Sequence, residues 1–305
     1  MKMSIQSKKV IFSAALIIAS LLSCVSVYAG DETNTVEPRT PKAMNNLGLR
    51  YYNGDGVARN FTEGVKWYRK AAMRGHVNAM SILGYIYDNG CGVAKNPVEA
   101  VKWWHKAADN GERVSMLMLG YCYRDGDGVA KNPSEAIKWF RKAAELGVSE
   151  AMLNLGVLYG NGDGVARNFT EAIKWFRKAA ELGDSKAMYN LASCYYDGEG
   201  VEKNLTEAVR WLRKAAELGH SKAMFDLGTI YCIGQGVEKN PTEGVKWVRK
   251  AADKGLLDAM YFLGYYYYKG IWVEKNLAEA ERWLRKAAEL GDENAKRLLR
   301  DLDRM

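Results

Sequence analysis

A period of 36 residues constrains this chain more than any other feature. Trp67, Trp103, Trp139, Trp175, Trp211, Trp247 and Trp283 stand 36 residues apart, and Tyr51, Tyr87, Tyr123, Tyr159, Tyr195, Tyr231 and Tyr267 keep the same interval. Seven copies run in unbroken register (43–78, 79–114, 115–150, 151–186, 187–222, 223–258 and 259–294), and Ala295 begins an eighth that stops at Met305. A fixed period in this range marks stacked supersecondary units, each too small to bury its own apolar face and each closed by its neighbours. A chain of 305 residues would otherwise suggest two globular domains, and the repeat overrides that expectation.

Each copy parses as two helices. In the fourth, Ala151, Leu155 and Tyr159 fall at i, i+4 and i+8, and Met152 and Gly156 complete the face, which predicts a helix A over roughly 151–159. Glycine inside a helix costs about 1 kcal/mol against alanine. It nevertheless holds the Gly156 position in every copy except the one with Ala192, which predicts close packing there. The loop from Gly160 to Asn168 has the glycines of a compact turn, and Val165 is expected to plug it into the core. Helix B opens with Asn168 as N-cap and Glu171 three residues on, the spacing of a capping box, and every copy repeats the pair. Ala172, Ile173, Trp175, Ala179 and Ala180 make its buried face, and Gly183 is its left-handed end. The expected fold is all-α: a right-handed α-solenoid of seven helix-turn-helix repeats, with residues 295–305 as a polar-faced C-terminal capping helix.

Residues 1–29 read as a targeting segment. Lys2, Lys8 and Lys9 form a basic start, Val10 to Leu22 an apolar run too short for a comfortable membrane span, and Val27-Tyr28-Ala29 a cleavage site ahead of Gly30. A second reading is lipidation, because Leu21-Leu22-Ser23-Cys24 resembles a lipobox with Cys24 as acceptor; an uncleaved anchor is the third. All three send the repeats out of the cytoplasm, to the periplasm or beyond, with the lipid-anchored envelope as the alternative. Residues 30–42 form a polar spacer with two prolines, read as disordered.

The net charge of +8 includes the lysines of the leader, which leaves too little to argue for nucleic acid. Cys91, Cys122, Cys194 and Cys232 sit in different copies without paired spacing, so no structural disulfide is expected. The loop Asp125-Gly126-Asp127-Gly128 begins like a calcium loop but has Ala136 in the twelfth place, and His76, His105 and His220 are scattered. No metal or cofactor is expected, and no phosphate loop or nucleophile elbow is present. Every repeated glutamate already has a capping role, so the chain is read as non-enzymatic.

The recurring pattern A-M-x-x-L-G-x-x-Y-x-x-G-x-G-V-x-x-N-x-x-E-A-x-x-W-x-x-K-A-A-x-x-G resembles the Sel1-like repeat, a relative of the tetratricopeptide repeat, from Ala43 to Met305. Departures are Ala192 for Gly, Gly64 and Gly244 for Ala in helix B, and Ile271-Trp272 in the seventh loop. The resemblance implies a binding scaffold, since members act as adaptors in quality control, signalling and bacterium–host contact. Some secreted members with paired cysteines are linked to β-lactam binding and hydrolysis, and this chain lacks that pairing. A β-lactam or cell-wall hydrolase, or an envelope-bound structural oligomer, are the alternatives to a monomeric adaptor.

In tetratricopeptide-like stacks helix A lines the concave side. That places Tyr85, Tyr121, Arg124, Tyr189, Tyr196, Phe225, Tyr261, Tyr265 and Tyr268 in the groove, with Asn53, Asn89, Asn161, Asp125 and Asp197 nearby. Aromatic rings and arginine are favoured interface anchors, and the aromatics thicken toward the C-terminal copies, so a protein or peptide partner is expected there. A basic stripe on helix B (Lys174, Arg177, Lys178 and their counterparts) reads as a solvated face, cations suiting a helix C-terminus.

Overall fold

A computed structural model describes residues 38–304. The cleavage site, Cys24 and most of the polar spacer lie outside the described residues. The chain divides into two compact units: one runs to Leu158 and includes Gly162–Ala166, and the other comprises Tyr159–Asn161 and the chain from Arg167 onward.

The first unit contains α1 (Pro41–Asn53), α2 (Phe61–Met73), α3 (Val77–Asn89), α4 (Pro97–Asp109), α5 (Arg113–Asp125), α6 (Pro133–Glu145) and most of α7 (Ser149–Asn161). The second contains α8 (Phe169–Glu181), α9 (Ser185–Asp197), α10 (Leu205–Glu217), α11 (Ser221–Ile233), α12 (Pro241–Asp253), α13 (Leu257–Lys269), α14 (Leu277–Glu289) and α15 (Glu293–Leu302). Odd-numbered helices from α1 to α13 are the expected helix A of each repeat, and even-numbered ones helix B. From α1 to α6, and again from α8 to α15, each helix packs on the next in sequence, and α3 also meets α5. Among the described residues there is no strand, and no helix is long and apolar enough to cross a membrane. This is the architecture of an all-α solenoid.

The odd helices start two residues earlier and end two later than the apolar spacing indicates. Polar first-turn residues such as Ser149 and Glu150 lie within α7. Each even helix opens with an asparagine whose Oδ1 accepts from the glutamate N–H three residues on, at 3.0–3.1 Å from Asn60 to Asn276. The reciprocal half of the capping box is replaced. The asparagine N–H donates instead to the carbonyl of the repeated tyrosine, as Asn168 does to Tyr159 at 2.8 Å. The glutamate carboxylate pairs with the basic residue one turn on, as Glu171 does with Lys174 at 3.1 Å. After each even helix a glycine turns left-handed, Gly183 with φ +87° for example.

Apolar burial explains the rest. Ala172, Ile173, Trp175, Ala179 and Ala180 are buried as expected, joined by Phe176, which belongs to a fully enclosed column with Tyr68, Trp104, Phe140, Leu212, Val248 and Leu284. This column presses on the odd-helix glycines: a Cβ on Gly84 would lie 2.4 Å from the Trp104 indole, and one on Gly120 2.4 Å from the Phe140 ring. In the sixth copy the backbones themselves meet. A Cβ on either Gly228 or Gly244 would come within 2.6 Å of the other's carbonyl oxygen, which accounts for the glycine departure at 244. Val165 and its six counterparts are half-buried at the loop rim and do not enter the core as expected. In the seventh loop Trp272 takes the left-handed position held elsewhere by glycine, with φ +62°, and its ring meets Tyr266 edge-on at 4.9 Å.

Candidate interaction surface

The even helices present nearly the same exposed face in every copy. The first cation of each stripe pairs with the capping glutamate. The third lies over the ring of the repeated tryptophan at 4.0–4.5 Å, from Lys70 over Trp67 to Lys286 over Trp283. In four copies the second reaches forward to the next odd helix, and in the seventh Arg285 pairs with Glu281 on its own helix. Arg69, Arg177, Arg213 and Arg249 donate to the hydroxyls of Tyr87, Tyr195, Tyr231 and Tyr267. Where His105 replaces arginine, its Nε2 is 3.2 Å from the Tyr123 hydroxyl, and burial lowers its pKa. The cations named here thus have internal partners, and the stripe is a ladder that ties helix to helix.

The odd helices differ from copy to copy. In the first unit, Tyr121 and Arg124 are brought together. The Tyr121 hydroxyl donates to Glu150 Oε1 and accepts from Asn154 Nδ2 at 3.1 Å. Arg124 donates to Asn154 Oδ1 at 2.7 Å, forks onto the Asp125 carboxylate, and lies 4.7 Å above the Tyr121 ring. Burial, with Glu150 beside it, raises the Tyr121 pKa, so the phenol stays a donor. Tyr85 is half-buried, and its carbonyl accepts from Asn89. Asn53 in this unit and Asn161 in the second are exposed.

In the second unit, Tyr196, Tyr261, Tyr265 and Tyr268 are half-buried, and Asp197 follows Tyr196 at the end of α9. The Tyr196 hydroxyl donates to Gln235 Oε1 at 3.0 Å, and the Tyr261 and Tyr265 rings stack at 6.4 Å. Two expected groove anchors require correction: Tyr189 is 1% exposed and Phe225 7%. Both rings fill the space beside the next odd helix. Tyr189 stacks on His220 at 4.9 Å and donates to Asp226 Oδ2 at 2.9 Å, and Phe225 packs on Phe262 at 5.4 Å.

On the odd helices the exposed large apolar side chains are Phe262, 39% exposed and one position along from Tyr261, and Ile233, 51% exposed, at the end of α11; Met73, Val98, Leu146, Leu182, Leu218, Leu277 and Leu290 are exposed at the ends of the even helices. Asn154, Asp226 and Phe262 share one repeat position that the apolar spacing assigns neither to the buried face nor to the groove. The column through them reads Asn46, Ile82, Met118, Asn154, Asn190, Asp226 and Phe262, and its variation is the signal that could have found it.

His76 and His220 are N-caps: their Nδ1 atoms accept from Ala79 N at 3.2 Å and Ala223 N at 3.1 Å. Among the described residues no group of His, Cys, Asp or Glu has metal-binding geometry. Cys122, Cys194 and Cys232 are buried thiols, and burial pushes the first two up to about 12.

The family model described as Sel1 repeat matches residues 41–76, 77–112, 113–148, 149–184, 185–220, 221–256 and 257–292, a phase two residues ahead of the tryptophan-based division. The crystal structure of c5321, a protective antigen of uropathogenic Escherichia coli with an SLR fold, is similar at 39% identity and a TM-score of 0.76. That similarity covers 84% of this chain and 55% of that one, so this chain spans little more than half of c5321. A Sel1 repeat protein from Oxalobacter formigenes is similar at 36% identity and a TM-score of 0.71, over 80% of this chain and 99% of the other. None of the curated proteins matches the chain.

Proposed function

The chain belongs to the Sel1 repeat family, and from that premise we propose that it is an exported, non-enzymatic scaffold that holds a protein or peptide partner along the face of its odd-numbered helices. Repeat proteins of this kind mediate protein–protein interaction. The observation that carries the reading is the contrast between the faces. The even helices repeat one ladder of internally partnered cations, whereas the odd helices vary, expose the Phe262 ring and carry the half-exposed rings of Tyr261, Tyr265 and Tyr268. Variable aromatic surface on a rigid frame suits recognition.

Export rests on the leader read from residues 1–29. The partner is expected in the periplasmic, envelope or secreted fractions, and the scaffold is proposed to work as a monomer without cofactor, nucleic acid or membrane contact beyond a lipid on Cys24 if that residue is acylated.

The test is capture from envelope and secreted fractions by the full chain and by a variant carrying Phe262→Ala, Tyr265→Ala and Tyr268→Ala, its helicity checked by circular dichroism. A partner held by the parent and lost by the folded variant supports the reading. A partner held equally by both moves the site to the even helices or the loops. Turnover of a chromogenic β-lactam by purified protein would overturn the non-enzymatic part.

A further inference from the structure

Among the described buried residues, Asp226 alone carries a carboxylate, and it is 2% exposed. Its Oδ2 accepts from the Tyr189 hydroxyl at 2.9 Å, while its Oδ1 is buried with no hydrogen-bond partner. An unpaired buried carboxylate oxygen is costly, and folded chains seldom keep one without a use for it.

The chain holds its own template for the missing group. Asn154 occupies the repeat position of Asp226 two copies earlier. Asn154 Oδ1 accepts from the Arg124 guanidinium at 2.7 Å, and its Nδ2 donates to the Tyr121 hydroxyl at 3.1 Å. In the second unit Tyr196 stands in the register of Arg124, and Ser193 in that of Tyr121. Neither serves Asp226: the Ser193 hydroxyl turns back to the Tyr189 carbonyl at 3.1 Å, and the Tyr196 hydroxyl goes to Gln235. The guanidinium is gone and the neutral acceptor has become an acid. The charges near Asp226 are Lys222, whose Nζ lies 5.6 Å above the Tyr189 ring, and Asp258. His220, stacked on Tyr189, is held neutral by its capping role.

We propose that Asp226 receives an arginine side chain from the partner. An extended polypeptide on the odd-helix face of the second unit places a guanidinium where Arg124 stands in the first, and an apolar neighbour on Phe262. The proposal rests on the peptide-binding reading above and names the chemistry of its ligand. A carboxylate suits the planar guanidinium fork better than an amide does, which gives the change from Asn154 to Asp226 a reason. Tyr196 is half-buried, held by the Gln235 bond named above and by the Lys203 ammonium 5.6 Å from its ring, and it is the ring that gives way on entry.

The test uses a displayed random dodecapeptide library selected on the full chain, with Asp226→Asn and Tyr196→Arg variants alongside and circular dichroism to check folding. Enriched sequences should carry an arginine next to an apolar residue. A synthetic peptide of that sequence should lose about ten- to a hundredfold in affinity when its arginine becomes citrulline, and again when Asp226 becomes asparagine. Tyr196→Arg, which supplies the guanidinium from within, should abolish the arginine preference and raise the thermal midpoint. Enriched peptides without arginine, or binding unchanged by Asp226→Asn, would overturn this inference and leave peptide binding standing. No enrichment on the folded parent would overturn both.

Discussion

The Arg177 guanidinium on α8 donates to the Tyr195 hydroxyl on α9, 2.8 Å away and eighteen residues along the chain. The bond joins the end of one copy to the start of the next. Both groups are partly exposed, so its net worth is modest, about 0.5–1 kcal/mol. A double-mutant cycle of Arg177→Ala and Tyr195→Phe should return a coupling of that size in urea unfolding, and a coupling of zero would make the contact incidental.

Gly120 is required by the Phe140 ring, so Gly120→Ala should destabilise the chain by about 1–3 kcal/mol. The fifth copy already carries the compensated pair, Ala192 with Leu212 in the register of Phe140. Adding Phe140→Leu to Gly120→Ala should therefore recover part of the loss in the same thermal-denaturation experiment.

The two halves of the capping pair should separate on mutation. Asn168→Ala removes the acceptor for the Glu171 N–H and should cost about 1 kcal/mol. Glu171→Ala removes a partly exposed pair with Lys174 and should cost no more than about 0.5 kcal/mol. Equal losses would mean that the glutamate contributes as a capping group after all.

Protons act on the second unit in opposite directions. Burial, helped by Lys186 and Lys222, lowers the His220 pKa to about 4, and its Nδ1 must stay unprotonated to cap α11. Its contribution to stability is complete above about pH 6.5, the unfolded value, and is lost as the pH falls toward about 4. Burial, with Asp258 adding and the Tyr189 bond and Lys222 opposing, raises Asp226 to about 6. Its contribution is complete below about pH 4 and is lost as the pH rises through about 6. Asp226→Asn should therefore be about 2 kcal/mol more stable than the parent at neutral pH and no more stable at about pH 4. His220→Asn, which keeps a capping oxygen, should flatten the loss on the acid side. Urea midpoints across this range decide both, and a gap between Asp226→Asn and parent that does not change with pH would refute the assignment.

Periodicity made the frame legible. The tryptophan and tyrosine columns mark the helix pairs, and the glycine column at Gly84 and Gly120 announces the close approach that the structure contains. The candidate surface was legible only in part, because sequence spacing within one helix does not show what the next copy brings against it. Tyr189 and Phe225 have the spacing of groove residues, but His220, Asp226 and Phe262 cover them. The capping roles of His76 and His220 were hidden for a related reason: an imidazole nitrogen replaces the usual hydroxyl or carboxylate ahead of the helix.

At five described seams, from Arg69 with Tyr87 to Arg249 with Tyr267, a basic or imidazole group meets a phenol eighteen residues on. In terms of descent, a gene built this way would gain, lose or shuffle whole copies and still produce joints that close. Insertion of a single codon inside that spacing would break one. Duplication sets the length of such an array and substitution on its odd helices changes their surface without touching the joints, so the two can be inherited and altered separately.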